Sequence, residues 1–122
     1  MDPLTTGKIR EFHESFCKEA LAIFATKNAD YAAKTTRPLS NFELPEFLGV
    51  CETDEAIFVR FCDKVSRMAN LLKRDPKVTE ESFRDTALDA LNYLILLTSL
   101  RETNDRGPVE GITPASYTQR TP

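Results

Sequence analysis

Glu81, Asp85, Asp89 and Asn92 are spaced four, four and three residues apart. A helix over this stretch therefore stacks three carboxylates and one amide along a single face. Like charges at that spacing repel, by roughly 0.2–0.5 kcal/mol per pair on an isolated helix. The apolar set of the same helix is Phe83, Ala87, Leu88, Leu91, Leu94, Ile95 and Leu97, so neighbours are expected to bury it. Acids carried into such surroundings need cations, a metal or a polar ligand. Mg²⁺ suits them: Glu81, Asp85 and Asp89 would be its ligands, with phosphate oxygens completing the shell. The plainer alternative leaves Glu81 and Asp85 solvated in the first helical turn and pairs Asp89 with an arginine.

A second polar stripe precedes it. Asp63, Arg67, Asn70 and Arg74 share one helical face, flanked by Arg60 and Lys64. Arg67 can make a planar two-point contact with a carboxylate or phosphate, and Lys64 can act as a mobile point charge. Facing the acidic stripe, these cations would neutralise it and leave room for an anionic ligand. Alternatively they are the wet side of an amphipathic helix.

A third cluster comprises Lys27, Asp30, Tyr31, Lys34, Arg37, Asn41 and Phe42. Tyr31 and Phe42 could sandwich a base while Lys34 or Arg37 meets phosphate. Equally, both rings could be core plugs that hold a loop down. His13, between Phe12 and Glu14, has no catalytic partner nearby in sequence and reads as structural. Cys17, Cys51 and Cys62 are odd in number and widely spaced, which argues against a zinc site or disulfide framework. They are expected to be reduced, small core residues.

Three long helices must position these groups. The first is expected over about Gly7–Thr26, with Ile9, Phe12, Phe16, Ala20 and Ile23 recurring at helical spacing. The second begins near Thr53 as N-cap, carries Phe58, Phe61, Val65, Met68 and Leu72 on its apolar side, and ends at Pro76. The third runs from Thr79 to about Glu102. Residues 27–51 form a long connector broken by Pro38 and Pro45, in which Phe42, Leu44, Phe47 and Leu48 predict an ordered loop or short helix. Residues 1–104 then make one helical domain, and 105–122, rich in Pro and Gly, an arm or tail.

With three helical patterns and no strand alternation, an all-α bundle is expected. At 122 residues, 41% hydrophobic and 29% charged, the chain suits one globular domain with a modest core that oligomerisation would complete. A net charge of -3 opposes general nucleic-acid binding. No apolar run approaches the ~18 residues of a membrane span, and the first residues lack a secretion signal, so a cytoplasmic protein is expected.

Four blocks carry a family resemblance: Lys27–Tyr31, Ser40–Phe42, Phe61–Arg67 and Glu81–Tyr93. Over about residues 8–101 the chain resembles the nucleotide modification associated domain proteins of the first type, small all-α proteins common in bacteriophages. More distantly it is similar to MazG-like nucleoside triphosphate pyrophosphohydrolases, which bind Mg²⁺ through acidic helices and cleave between the α and β phosphates. The resemblance implies a homo-oligomer in a host cytoplasm that binds a nucleotide or nucleotide-derived molecule. Lys64 and Arg67 would hold phosphates, Tyr31, Asn41 and Phe42 the base, and Asp63, Asn92 and Tyr93 would belong to the same site. The MazG-like pattern Glu-Glu-x-x-Glu is replaced by Asp63-Lys64-x-x-Arg67, with cations where acids stand in those enzymes. Three readings follow: binding without efficient hydrolysis, as in a sponge that sequesters an immune signal; Mg²⁺-dependent pyrophosphohydrolysis; and a protein–protein adaptor.

Overall fold

The computed structural model describes residues 2–32 and 39–103, and their side chains except at 28–32, 40 and 76–80. Among these residues the protein is all-α. Its four helices are α1 (Thr6–Ala32), α2 (Ser40–Phe47), α3 (Thr53–Leu71) and α4 (Pro76–Thr103). The proposed tail, residues 105–122, lies outside the described residues. No described helix is long and apolar enough to cross a membrane.

Local chemistry accounts for the helix ends. Thr5 Oγ1 accepts the Lys8 backbone N–H at 3.2 Å, satisfying one of the donors that a helix start leaves open. α3 begins one residue earlier than expected. Glu52, not Thr53, is the N-cap, because a reciprocal capping box ties Glu52 to Glu55. Pro76 does not end the second helix; α3 stops at Leu71 and Pro76 opens α4. A proline at the first helical position loses no hydrogen bond, and its fixed φ suits the helix. Pro45 sits inside α2, two residues from its end, and does not break it. Gly49, at φ 77°, ends α2 in the left-handed region, with Val50 N–H donating back to Pro45 O at 2.8 Å.

α1 runs on to Ala32, beyond the expected end at Thr26, so Lys27–Tyr31 belong to a helix and not to the connector. The short helix expected around Phe42 is α2.

α3 and α4 form an antiparallel pair joined by residues 72–75; α2 packs on α3 and α1 on α4. The two large side chains wholly removed from water are Ile57 of α3 and Leu88 of α4. Ala20 is buried where α1 meets α4, and the small side chain lets the helices approach closely. Phe42 is buried and meets Tyr93 edge-on, with ring centroids 5.9 Å apart, which pins α2 against α4.

The cysteines depart from expectation. Cys17 and Cys62 are exposed and Cys51 half-buried, so none is a core residue, and all three are free thiols. His13 is exposed too, its Nδ1 3.8 Å from Cys17 Sγ. Of the apolar residues expected to face inward from α3, Phe58, Val65 and Leu72 are instead exposed; Ile57 and Leu71 take the buried positions.

Candidate functional site

The seam between α3 and α4 is polar on one side. Lys64 Nζ lies 3.1 Å from Asp89 Oδ2, and Lys27 Nζ reaches Asp89 Oδ1 from α1 at 3.6 Å. One carboxylate thus holds two ammonium groups from two helices. Its partners are lysines, not the arginine of the plainer sequence reading. Arg67 goes one turn away, where its Nε donates to Thr86 Oγ1 at 3.1 Å. Thr86 is buried, and its own hydroxyl donates to Ser82 O at 2.7 Å. The guanidinium is therefore tethered at one edge by a fixed hydroxyl.

Beside these contacts an open cleft of about 600 Å³ runs along the seam. Lys64, Arg67, Asn70 and Arg74 line it from α3 and the residues just after it, together with Asp63 and Ser66; Ser82 closes the α4 side. The volume falls in the range of small-molecule sites. Its lining carries three cations against one carboxylate, and donors from serine and asparagine add hydrogen-bonding capacity. Chemically, this lining offers positive charge and hydrogen-bond donors on one wall.

The remaining sequence-derived site residues distribute as follows. Glu81 and Asp85 are exposed on α4. With a rise of 1.5 Å per residue, Glu81 and Asp89 stand about 12 Å apart along the axis. Among the described residues, the acids that gather within 4.8 Å of one another are Glu52, Asp54 and Glu55 at the start of α3, not Glu81, Asp85 and Asp89. Asp89 moreover directs its two oxygens to two lysines. This donor set does not fit a shared divalent cation. Asn92 turns from the cleft toward α1 and donates from Nδ2 to Ala20 O at 3.0 Å. Asn41 is exposed on α2. Asp30 and Tyr31 fall on the last turn of α1, with side chains outside the described residues, as are Lys34 and Arg37 altogether.

Thr86, Ser82 and Ser66 are site residues that the charge pattern does not reveal. The α4 stripe that faces α3 is Ser82, Thr86 and Asp89, at spacings of four and three; Tyr93, four further on, meets Phe42 of α2. The acid-and-amide stripe read from sequence traces Glu81, Asp85 and Asn92, which sit some way round the helix; Asp89 is the member shared by both stripes.

Neighbouring α1 contributes a separate cluster. Arg84 of α4 lies over the rings of Phe12 and Phe16, 5.7 and 5.2 Å from their centroids, and pairs with Glu19. It fastens α1 to α4 on the side away from the cleft.

No family model, curated protein or solved structure matches the chain. The cleft and its cations are therefore the ground for function.

Proposed function

We propose that the α3–α4 cleft binds the phosphate groups of a nucleotide or nucleotide-derived small molecule. The observation that carries this reading is the meeting of Lys64, Arg67 and Arg74 in one cleft of ligand size, with Arg67 tethered by Thr86. A guanidinium held in place loses less freedom when it binds a phosphate, so more of the contact appears as affinity. Asp89 keeps the ammonium groups of Lys64 and Lys27 together, and an incoming phosphate would share them. The family resemblance of the Lys27–Tyr31, Phe61–Arg67 and Glu81–Tyr93 blocks supports a nucleotide as the source of the phosphate. Glu81, Asp85 and Asp89 do not bring three oxygens within 4.8 Å of one another, and this favours retention of the nucleotide over metal-assisted turnover. A protein of this kind in a phage-infected cell would act by sequestration.

The test is a thermal-melt screen against nucleotides of different base, phosphate count and linear or cyclic form, with and without Mg²⁺. A true ligand at one hundred times its Kd stabilises by about 2.7 kcal/mol. Arg74→Gln, at an exposed position, should fold normally and bind several-fold more weakly. Nucleotide recovered intact after heat denaturation agrees with sequestration. Mg²⁺-dependent release of pyrophosphate would replace retention by hydrolysis. A panel that shifts nothing would remove the nucleotide reading altogether.

A further inference from the structure

α3 carries a second stripe, on the side away from the cleft. Phe58, Cys62, Val65, Ala69 and Leu72 recur at spacings of four, three, four and three, the period of a coiled-coil seam. At 100° per residue this stripe is centred roughly 180° around the helix from Arg67. All five residues are exposed: Phe58 by 51%, Val65 by 43% and Leu72 by 73%. Val59, also exposed, and the half-buried Phe61 and Met68 border them, so the strip has no charged residue along its middle. A surface helix with one buried face needs only one apolar stripe. α3 has two, and Ile57 and Leu71 already occupy the one that meets its own fold.

We propose that this strip pairs antiparallel with the same strip of a second copy of the chain. Two features select that partner and direction. The first is charge. Glu55 stands at the start of α3 and Lys73 follows its end, both on the same flank of the strip. An antiparallel pair sets each acidic end beside a basic end, whereas a parallel pair sets like charges together at both ends. The second is size. In an antiparallel seam the layers pair Phe58 with the partner's Ala69 and Cys62 with the partner's Val65, so the large Phe58 meets a small side chain, while Leu72 lies past the last layer beside the partner's Glu55. The contact is then isologous and closes on itself, giving a dimer with its two clefts facing outward. This pairing does not depend on what the cleft binds.

The test combines mass and cross-linking on the full chain. Light scattering of the purified protein is expected to give twice the chain mass, and Val65→Glu to give the single-chain mass with unchanged helical circular dichroism. In a background with Cys17, Cys51 and Cys62 replaced by serine, Phe58→Cys and Ala69→Cys are made singly and together. Oxidation should join two chains only in the double variant. In each single variant the two thiols lie on layers 11 residues apart, about 16 Å along the axis and beyond disulfide reach. A monomeric wild-type protein overturns the proposal, as does a dimer that Val65→Glu leaves intact. Cross-linking of either single variant would show parallel pairing and overturn it too. A dimeric double variant that fails to cross-link would place the interface elsewhere.

Discussion

Lys64 and Asp89 meet at 3.1 Å across the α3–α4 seam, with side chains 29% and 30% exposed. That is too wet for a strongly buried ion pair and too sheltered for a fully solvated one. The same carboxylate also faces Lys27. A double-mutant cycle with Lys64→Met and Asp89→Asn should give a coupling of about 1 kcal/mol, weakening as salt is raised. Asp89→Asn alone should cost more than Lys64→Met, because it leaves two neighbouring ammonium groups without their shared counter-charge. Urea unfolding at low and high salt measures both effects.

Thr86 links folding to the cleft. Its buried hydroxyl gives a hydrogen bond to Ser82 O and takes one from Arg67 Nε. Thr86→Val keeps the shape and removes both, so stability should fall by about 1–2 kcal/mol, read as a lower urea midpoint at unchanged slope. Anion affinity should fall with it as Arg67 loses its tether. Thr86→Ser should restore most of both.

Leu88 is one of the two fully buried large side chains, packed where α4 is covered on both flanks. Leu88→Ala should cost about 2–5 kcal/mol. Against a typical domain stability of about 5–15 kcal/mol, this is enough to bring thermal unfolding close to ambient temperature in a chain with so small a core. Calorimetry of the variant tests it.

Asp85 provides the contrasting case. It is exposed, although its spacing on α4 suggests metal ligation. Asp85→Asn should change stability by no more than about 0.5 kcal/mol and leave nucleotide affinity unaltered. A loss of Mg²⁺-dependent binding or turnover in this variant would restore the acidic stripe as a metal centre.

Gly49 tests a backbone requirement. Its φ of 77° lies where an L side chain is strained, although a Cβ added there would meet no atom within 4 Å. Gly49→Ala should therefore cost roughly 1–2 kcal/mol through conformation alone, with no change in packing; chemical denaturation of the variant measures it.

Much of the architecture is legible in hydrophobic spacing. The all-α class, the short helix around Phe42 and the approach of Asp89 to the basic stripe of α3 all follow from periods of three and four. Helix ends are less so. Pro76 reads as a breaker because an interior proline removes a hydrogen bond, but at a helix start that bond does not exist; Pro45 does forgo one, inside a helix that runs only two residues further. Lys27–Tyr31 read as connector because polar residues gather there, yet nothing in them prevents α1 from continuing. The direction of a stripe is harder still. Asp63, Arg67, Asn70 and Arg74 group together from sequence, since one helix fixes their relation. Which residues of α4 oppose them depends on how α4 is rotated, and rotation is set by burial of Ile57, Leu88 and Ala20, not by the charges. The cysteines mislead for a related reason: residue type suggests burial, but Cys62 follows the second apolar stripe of α3, which the fold leaves open.

The order in which these helices leave the ribosome gives the contacts of α1 a temporal meaning. α3 and α4 are joined by residues 72–75 and can pair as soon as both are made, whereas Asn92 reaches the Ala20 carbonyl across 72 residues of chain. At about 5–20 residues per second, α1 must wait on the order of 4–14 s before its docking site exists. During that interval Phe12 and Phe16 have no Arg84 guanidinium to lie against them, and α1 waits with both rings uncovered.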